Sequence, residues 1–483
     1  MAGKLLRREL LKGAALAGAG LAVPFVFRRH AHAGEIDPAR VKKLAESLKG
    51  QVIVPGDANY DSARKIWNAR YDKHPAAIAR CANADDVRHS IAFARANNLA
   101  VAVRSGGHSY AGYSTCDDGI VIDLSAMKDV RIEPHRRVAK AQPGVRVREF
   151  DAATKPLGLA TTMGGCSEVA LGGLCLGAGQ GFLAGKFGYT CDNLLGAEVT
   201  TADGNLLRAS SDQNPDLFWA IRGGGGNFGI ATSFDLQLHP IDRIAVANLT
   251  CGVAEAPRAM RKVRDFVASI GDDVCAYAGV LPANPDRTFQ AMVAYEGAGN
   301  GETVLAPLGA SDSEITSSIK SVPYFEIQGQ GQDIPTFKPI YGEERSGYFR
   351  ELSDDAIDTI GKRLVSTLPR WSGYALFFAN GAASRIPISA AAYPWRAPAW
   401  EYWVHSYWQD PKLAGGSIDW VTAMFESLKP YSSGAVYVNM LYEEGEARVR
   451  AAYGPNYDRL AQLKKKYDPT NFFRMNQNIR PTG

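Results

Sequence analysis

Arg104-Ser-Gly-Gly-His-Ser-Tyr110 and Gly164-Gly-Cys166 are the two stretches whose reading decides the fold of this 483-residue chain. Small residues ahead of His108 and Cys166 let the backbone approach a flat ligand closely, and each stretch offers a nucleophilic side-chain atom there. The first stretch grows out of the apolar run Leu99-Ala-Val-Ala-Val-Arg104 and is followed by Gly119-Ile-Val-Ile-Asp123-Leu124, both with the composition of strands. A strand that feeds a glycine turn leaves successive N–H groups able to face an anion such as a pyrophosphate.

Downstream, Gly172-Gly-Leu-Cys-Leu-Gly177-Ala-Gly179-Gln-Gly181 is too glycine-dense for an ordinary helix or strand. Cys191-Asp192-Asn193-Leu-Leu-Gly196 follows, and Val199-Thr-Thr-Ala-Asp203-Gly204 reads as a strand ending in an Asp-Gly turn. Arg222-Gly-Gly-Gly-Gly-Asn227-Phe-Gly229 puts five glycines into eight residues. The apolar runs on either side, Leu217–Ile221 and Ile230–Phe234, argue for a packed site rather than a flexible linker.

Taken in order, these motifs resemble the flavin-binding domain of the vanillyl alcohol oxidase superfamily, and within it the berberine bridge enzyme-like oxidases. Near the C-terminus, Tyr453-Gly-Pro-Asn-Tyr457-Asp-Arg-Leu and Lys466-Tyr-Asp-Pro-Thr-Asn-Phe-Phe-Arg474 match the closing segment of the same family. The resemblance implies an α+β, two-domain PCMH-type FAD-binding fold with an α+β substrate-binding domain. It implies FAD as cofactor, joined through His108 to the 8α-methyl and through Cys166 to C6 of the flavin. Double attachment withdraws electrons from the ring and secures the flavin in an open cleft that admits a bulky substrate. Arg104, Ser105, Gly106, Gly107, Ser109, Gly172, Gly173, Gly177, Asp192, Asn193, Gly229, Ile230 and Asn439 are the expected cofactor-binding residues beside His108 and Cys166. The implied activity is oxidation of a C–OH or C–N bond in a carbohydrate, phenolic or secondary metabolite, with a small-molecule substrate and O2 as partners. Val169, three residues after Cys166, matches the position at which fast-reacting oxidases of the family tend to carry valine. A flavin dehydrogenase with another acceptor and a flavin-binding protein that has lost catalysis are the alternative readings.

Tyr393-Pro-Trp395-Arg396 and Trp400-Glu-Tyr-Trp-Val-His-Ser-Tyr-Trp408 form the candidate substrate wall. At period two, Glu401, Trp403, His405 and Tyr407 share one strand face, while Trp400, Tyr402, Val404 and Trp408 share the other. The chain departs from the family pattern here. Trp403 stands where a catalytic Glu or Gln is frequent, Met440 replaces the second tyrosine of Tyr-x-Asn-Tyr, Gln180 replaces a glycine-loop tyrosine, and Leu174 replaces a histidine. Tyr110 matches a family active-site tyrosine, and Tyr110, His405 and Glu401 are the candidate catalytic residues for taking up a substrate proton.

About 450 residues exceed what one core usually serves, so two domains are expected after a leader. The expected boundaries are 1–33 for a twin-arginine signal peptide, 34–245 for the FAD-binding domain, 246–432 for the substrate domain and 433–483 for a segment completing the first. Asn83-Ala-Asp-Asp86 followed by Val87, Ile91 and Ala94 reads as a capped amphipathic helix leading into the His108 strand. Ala291–Tyr295 and Trp371–Phe378 read as strands, and Ser353–Leu368 as a helix.

Arg7-Arg8 ahead of the weakly apolar Gly13–Phe27 is a twin-arginine pattern, with cleavage expected after Ala33 and a periplasmic or secreted location. That route exports folded proteins, as a flavoprotein loaded in the cytoplasm requires, and makes the export machinery an expected partner. Fifteen residues are short for a bilayer span, so no stable membrane anchor is expected. Lys4, Arg7, Arg8, Lys12, Arg28 and Arg29 against Glu9 put +5 into the leader, so the chain's net +4 becomes −1 without it. No global basic field for nucleic acid remains. Lys464-Lys-Lys466 reads as the solvated face of a terminal helix. Seven cysteines leave six beyond Cys166, and no metal-ligand spacing occurs among them, so no metal is expected.

Overall fold

The computed structural model describes residues 36–482 apart from 283, 285, 298, 311, 330–337 and 366–368. The leader expected over 1–33 lies outside the described residues. Among these residues no helix is long and apolar enough to cross a membrane.

Among the described residues three large sheets and a two-stranded one, His239–Pro240 with Leu159–Ala160, build the α+β fold. The first has four strands in the order Gln51–Ile53, Ala77–Arg80, Ile120–Asp123, Val101–Arg104. Its last two contacts are parallel, with Ala77–Arg80 and Val101–Arg104 on either side of Ile120–Asp123. The helix Ala84–Ala96 bridges two of these strands; the Asn83 side chain accepts from Asp86 N at 2.9 Å, and Val87, Ile91 and Ala94 are buried, as the sequence pattern requires. The second sheet is antiparallel, in the order Val130–Glu133, Val138–Ala141, Ile230–Gln237, Leu194–Thr200, Leu206–Ser210.

The third sheet has seven antiparallel strands, in the order Thr316–Pro323, Arg243–Cys251, Phe289–Tyr295, Val274–Val280, Ser372–Asn380, Glu401–Trp408, Tyr341–Tyr348. The helices Ala256–Ile270, Asp354–Val365 and Ala414–Leu428 supply Met260, Val263, Ile357, Ile360, Val421 and Met424 to one core with Val293, Leu376, Tyr402 and Val404. Strand alternation therefore turns Tyr277, Phe377, Trp403, His405 and Tyr407 to the opposite face.

Two elements differ from the sequence reading. Leu171–Leu176 is a six-residue helix despite its glycine pair, because Leu171, Leu174, Cys175 and Leu176 are all buried and packing outweighs propensity. Gly172 is required there: a Cβ would collide with Ser105 Oγ. Lys464 is not on a solvated face. It is fully buried and donates to Asp468 Oδ2 at 2.7 Å, Asn227 O at 2.8 Å and Phe473 O at 2.8 Å. Lys466 is exposed and pairs with Asp216. Cys81, Cys116, Cys175, Cys191, Cys251 and Cys275 are buried free thiols.

The Lys464 contacts hold the C-terminal segment against the Gly225–Asn227 turn. Asn227 adds Nδ2 bonds to Gly224 O at 2.9 Å and Gln477 O at 3.1 Å, and its Oδ1 accepts from Ile479 N at 3.0 Å. Removing one member of a buried pair leaves the other charge uncompensated. Asp468→Ala is therefore expected to lower the unfolding free energy by about 3–5 kcal/mol, read from urea melts at neutral pH; a loss within error would show that this pair does not hold the segment.

Candidate active site

One open cavity of ≈ 370 Å³ lies between the glycine loops, the C-terminal segment and the aromatic face of the seven-stranded sheet. Arg104 sets its first wall. Its Nη2 donates to Asp123 Oδ2 at 2.7 Å across the parallel strand pair, and both side chains are buried. Burial opposes ionisation of Asp123, yet the Arg104 charge holds the carboxyl below its ordinary range. The strand is thus pinned where the glycine turn begins. Gly107 adopts φ +72°, and a Cβ on Gly106 would sit 2.9 Å from Ala170 Cβ, so the loop carrying His108 lies directly against the segment that follows Cys166.

Ser105, Gly106, Gly107, His108, Ser109 and Tyr110 all line the cavity. So do Cys166, Gly172, Gly173, Gly229, Ile230 and Asn439. His108 stacks on Trp67 at 5.6 Å with an interplanar angle of 19°, and burial lowers its pKa to about 4. Tyr110 and Tyr407 meet the same indole edge-on at 5.5 and 5.6 Å. Tyr437 Oη accepts from Gly179 N at 2.9 Å and from Asn439 Nδ2 at 3.0 Å, locking the Tyr437-Val-Asn-Met440 turn beneath the glycine loop.

Four expected cofactor residues lie outside the cavity lining, and each has a structural task. Arg104 is the anchor just described. Gly177 makes room for Asn439, whose side chain a Cβ there would strike. Asp192 forms a bidentate pair with Arg396 at 2.6 and 2.8 Å, both nearly inaccessible, which ties the glycine region to the Tyr393–Arg396 stretch. Asn193 donates to Phe187 O and Tyr189 O at 2.9 Å and contacts His239 Nε2 at 2.6 Å through Oδ1.

The catalytic candidates divide similarly. His405 lines the cavity, its ring stacked on Tyr407 at 5.8 Å, and its buried Nε2 has no hydrogen-bond partner. Desolvation lowers its pKa to about 3, so the ring is neutral at physiological pH. Glu401 does not reach the cavity. It sits fully buried behind two residues that do: Trp403 Nε1 donates to Oε1 at 2.6 Å and Gln180 Nε2 to Oε2 at 2.7 Å. Burial pushes this carboxyl up to about 7, against the bonds from Trp403 and Gln180. Its role is to orient the indole and amide that form the wall.

Glu344 is one of the lining residues that sequence reasoning missed. It is 2% exposed and accepts from Tyr407 Oη at 3.2 Å. The run Tyr341-Gly-Glu-Glu-Arg-Ser-Gly-Tyr348 lacks the apolar alternation of a half-buried strand, and two adjacent acids suggest a solvated turn. Glu343 instead pairs with Arg70 and Arg345 while Glu344 turns inward. The usable signal was Glu344 and Tyr348 on one face at period two.

The lining fits FAD. A Cβ on Gly173 or Gly226 would meet no protein atom within 4 Å and would occupy ligand space instead. Asn476 Oδ1 and Gln477 Oε1 in the same wall are buried without a protein donor, which the hydroxyls of a ribityl chain would supply.

Comparison with known proteins agrees. Residues 75–210 match the family model described as FAD binding domain, and residues 436–480 the one described as berberine and berberine like. The chain is 30% identical over 450 residues to an FAD-linked oxidoreductase of Bacillus subtilis, covering 90% of this chain and 97% of the relative. It is 30% identical over 458 residues to (R)-6-hydroxynicotine oxidase of Paenarthrobacter nicotinovorans, covering 90% and 98%. The crystal structure of 6-hydroxy-D-nicotine oxidase from Arthrobacter nicotinovorans superposes with a TM-score of 0.81 at 29% identity, over 90% of this chain and 99% of that one. The chain belongs to the berberine bridge enzyme-like FAD-linked oxidoreductases of the vanillyl alcohol oxidase, PCMH-type superfamily. It is an FAD-dependent enzyme that oxidises small organic substrates.

The buried His405 carries a pH signature. The unfolded ring takes up a proton near pH 6.5 and the folded one only near 3, so stability is full above 6.5 and falls as pH drops through that window. Between pH 6.5 and 5 the term amounts to about 2 kcal/mol. His405→Gln should flatten the fall in urea-derived stability over that interval by about this amount; an unchanged slope would place the titration elsewhere.

Proposed function

We propose that the enzyme is an oxidase whose flavin is attached through both His108 and Cys166, and that it oxidises a C–OH or C–N bond of a carbohydrate, phenolic or other secondary metabolite while O2 is reduced to H2O2. The observation that carries the double attachment is that His108 and Cys166 line one cavity from two loops pressed together at Gly106–Ala170 and Ser105–Gly172. Bound FAD supplies the two-electron acceptor for hydride from the substrate carbon and passes those electrons to O2.

The chain's own residues do the rest. Trp403, Phe377 and Tyr277 offer a flat apolar wall for a ring, with the Trp403 indole held from behind by Glu401. Tyr110 and the neutral His405 are the groups assigned to accept the substrate proton. The relative named as an oxidase supports O2 as the acceptor, and so does Val169, which lines the cavity. The leader assigns the enzyme to export by the twin-arginine route, with Gly34 as the mature first residue.

Peptide mass analysis of the denatured exported protein should find flavin on peptides containing His108 and Cys166. Single His108→Ala and Cys166→Ala variants should each keep flavin on the other residue, and flavin on neither peptide of the wild type removes the attachment. Val169→Leu should slow reoxidation of the reduced enzyme by O2 roughly tenfold, about 1.4 kcal/mol of barrier, with anaerobic reduction by substrate unaltered; equal reoxidation traces in stopped flow would sink the oxygen gate.

A further inference from the structure

Trp67 stands outside the cavity lining, directly behind the imidazole that His108 presents to it. The indole lies along the face of His108, with ring centroids 5.6 Å apart and planes 19° from parallel. Its backbone N–H donates at 3.0 Å to the carbonyl of Gly107, the residue just before His108. Tyr110 and Tyr407 brace the indole edge-on and Ile340 packs in the same cluster, so Trp67 is only 9% exposed. The next two residues fasten it to the edge strand Tyr341–Tyr348 of the seven-stranded sheet. Asn68 is fully buried; its Nδ2 donates to Gly342 O and its Oδ1 accepts from Gly342 N, both at 3.1 Å. Ala69 N donates to Ile340 O at 2.7 Å.

We infer that Trp67 is the positioning residue for the bond between His108 and the flavin, fixing the plane of the imidazole so that a ring nitrogen faces the 8α-carbon. The inference rests on the double attachment proposed above. The backbone does not set this plane by itself, because the torsion that turns a planar ring on its Cβ has broad minima. The nitrogen lone pairs lie in the ring plane, so its tilt decides whether one of them points at the carbon to be joined. A flat indole against one face restricts that tilt, and a reacting atom misplaced by about 1 Å loses on the order of 10²-fold in rate. Burial lowers the pKa of His108 to about 4, which leaves the ring neutral and nucleophilic at neutral pH. In the attachment the 8α-methyl gives up one C–H hydrogen, the imidazole gives up its N–H hydrogen, and a C–N bond forms. The two electrons and two protons released pass by way of the flavin ring to O2, which leaves as H2O2. Trp67 exchanges nothing in this balance and sets only the direction of attack. Cys166 is delivered by a different loop, so the stack governs one attachment and not the other.

The test quantifies flavin on the His108 and Cys166 peptides of wild type, Trp67→Phe and Trp67→Met, each purified as the full flavin-loaded chain and then denatured. Trp67→Phe keeps a flat face and is expected to carry flavin on both residues. Trp67→Met keeps bulk without a plane. Flavin on its His108 peptide is expected to fall roughly tenfold or more, with the Cys166 peptide within about twofold of wild type. Undiminished flavin on His108 in Trp67→Met overturns the inference. Equal loss from both peptides also overturns it, because that is what a merely structural role produces. Should Trp67→Met not fold, Trp67→Leu takes its place under the same two criteria. Flavin on Cys166 alone in the wild type removes the His108 attachment and this inference together. Flavin on both peptides in all three proteins leaves the double attachment standing and removes this inference alone.

Discussion

The buried ammonium of Lys464 ties together pieces of chain that sequence separates by more than two hundred residues. It bonds Asn227 O in the glycine-rich turn, Phe473 O near the C-terminus and the Asp468 carboxylate, with no exposure of either charged group. A desolvated charge tolerates little displacement, because every lost partner exposes it to a medium that does not screen it. The turn containing Gly226 and the segment containing Asn476 and Gln477 are held by this node, and all of these line the cavity. The cavity wall is therefore assembled across long sequence distance, and the C-terminal segment is part of that wall rather than an appendage.

A second buried pair, Asp192 with Arg396, does for the other side of the molecule what Lys464 does for the first. It links the glycine region to the stretch preceding the Glu401–Trp408 strand, and so positions the aromatic face of the seven-stranded sheet opposite the glycine loops. Arg104 with Asp123 secures the His108 loop by the same means. In each case a charge that looks available for a phosphate or a substrate is consumed in fixing the backbone from which uncharged atoms act. Among the described residues that line the cavity, Glu344 is the one Asp, Glu, Lys or Arg, beside neutral imidazoles, phenols, an indole and amides. A low-dielectric site of that composition makes any single charge count heavily in choosing a ligand.

Family and cofactor were legible because they reside in short, chemically specific runs. Arg104–Tyr110, Gly164–Cys166 and Arg222–Ile230 name a close backbone approach and two nucleophilic side-chain atoms without reference to anything distant. The helix at Ala84–Ala96 and the faces of the Glu401–Trp408 strand were legible for a related reason, since capping and period-two alternation are local properties. Glu344 was not. Whether Glu343 or Glu344 turns inward depends on the position of Arg70, which the local sequence of that strand does not contain. Lys464 was misjudged likewise, because a lysine run carries no mark of which member will meet a carbonyl from residue 227.

The amino-acid sequence by itself determined the fold class, the family and the cofactor, because glycine-rich turns and the runs that flank them act through neighbouring residues. Only the tertiary structure decided which charged residues are scaffolding and which face the ligand. Arg104, Asp192, Glu401 and Lys464 became internal partners, and Glu344 became the cavity's carboxylate. The physical reason is that the state of a buried charge is set by the groups packed around it, and those groups come from distant parts of the chain.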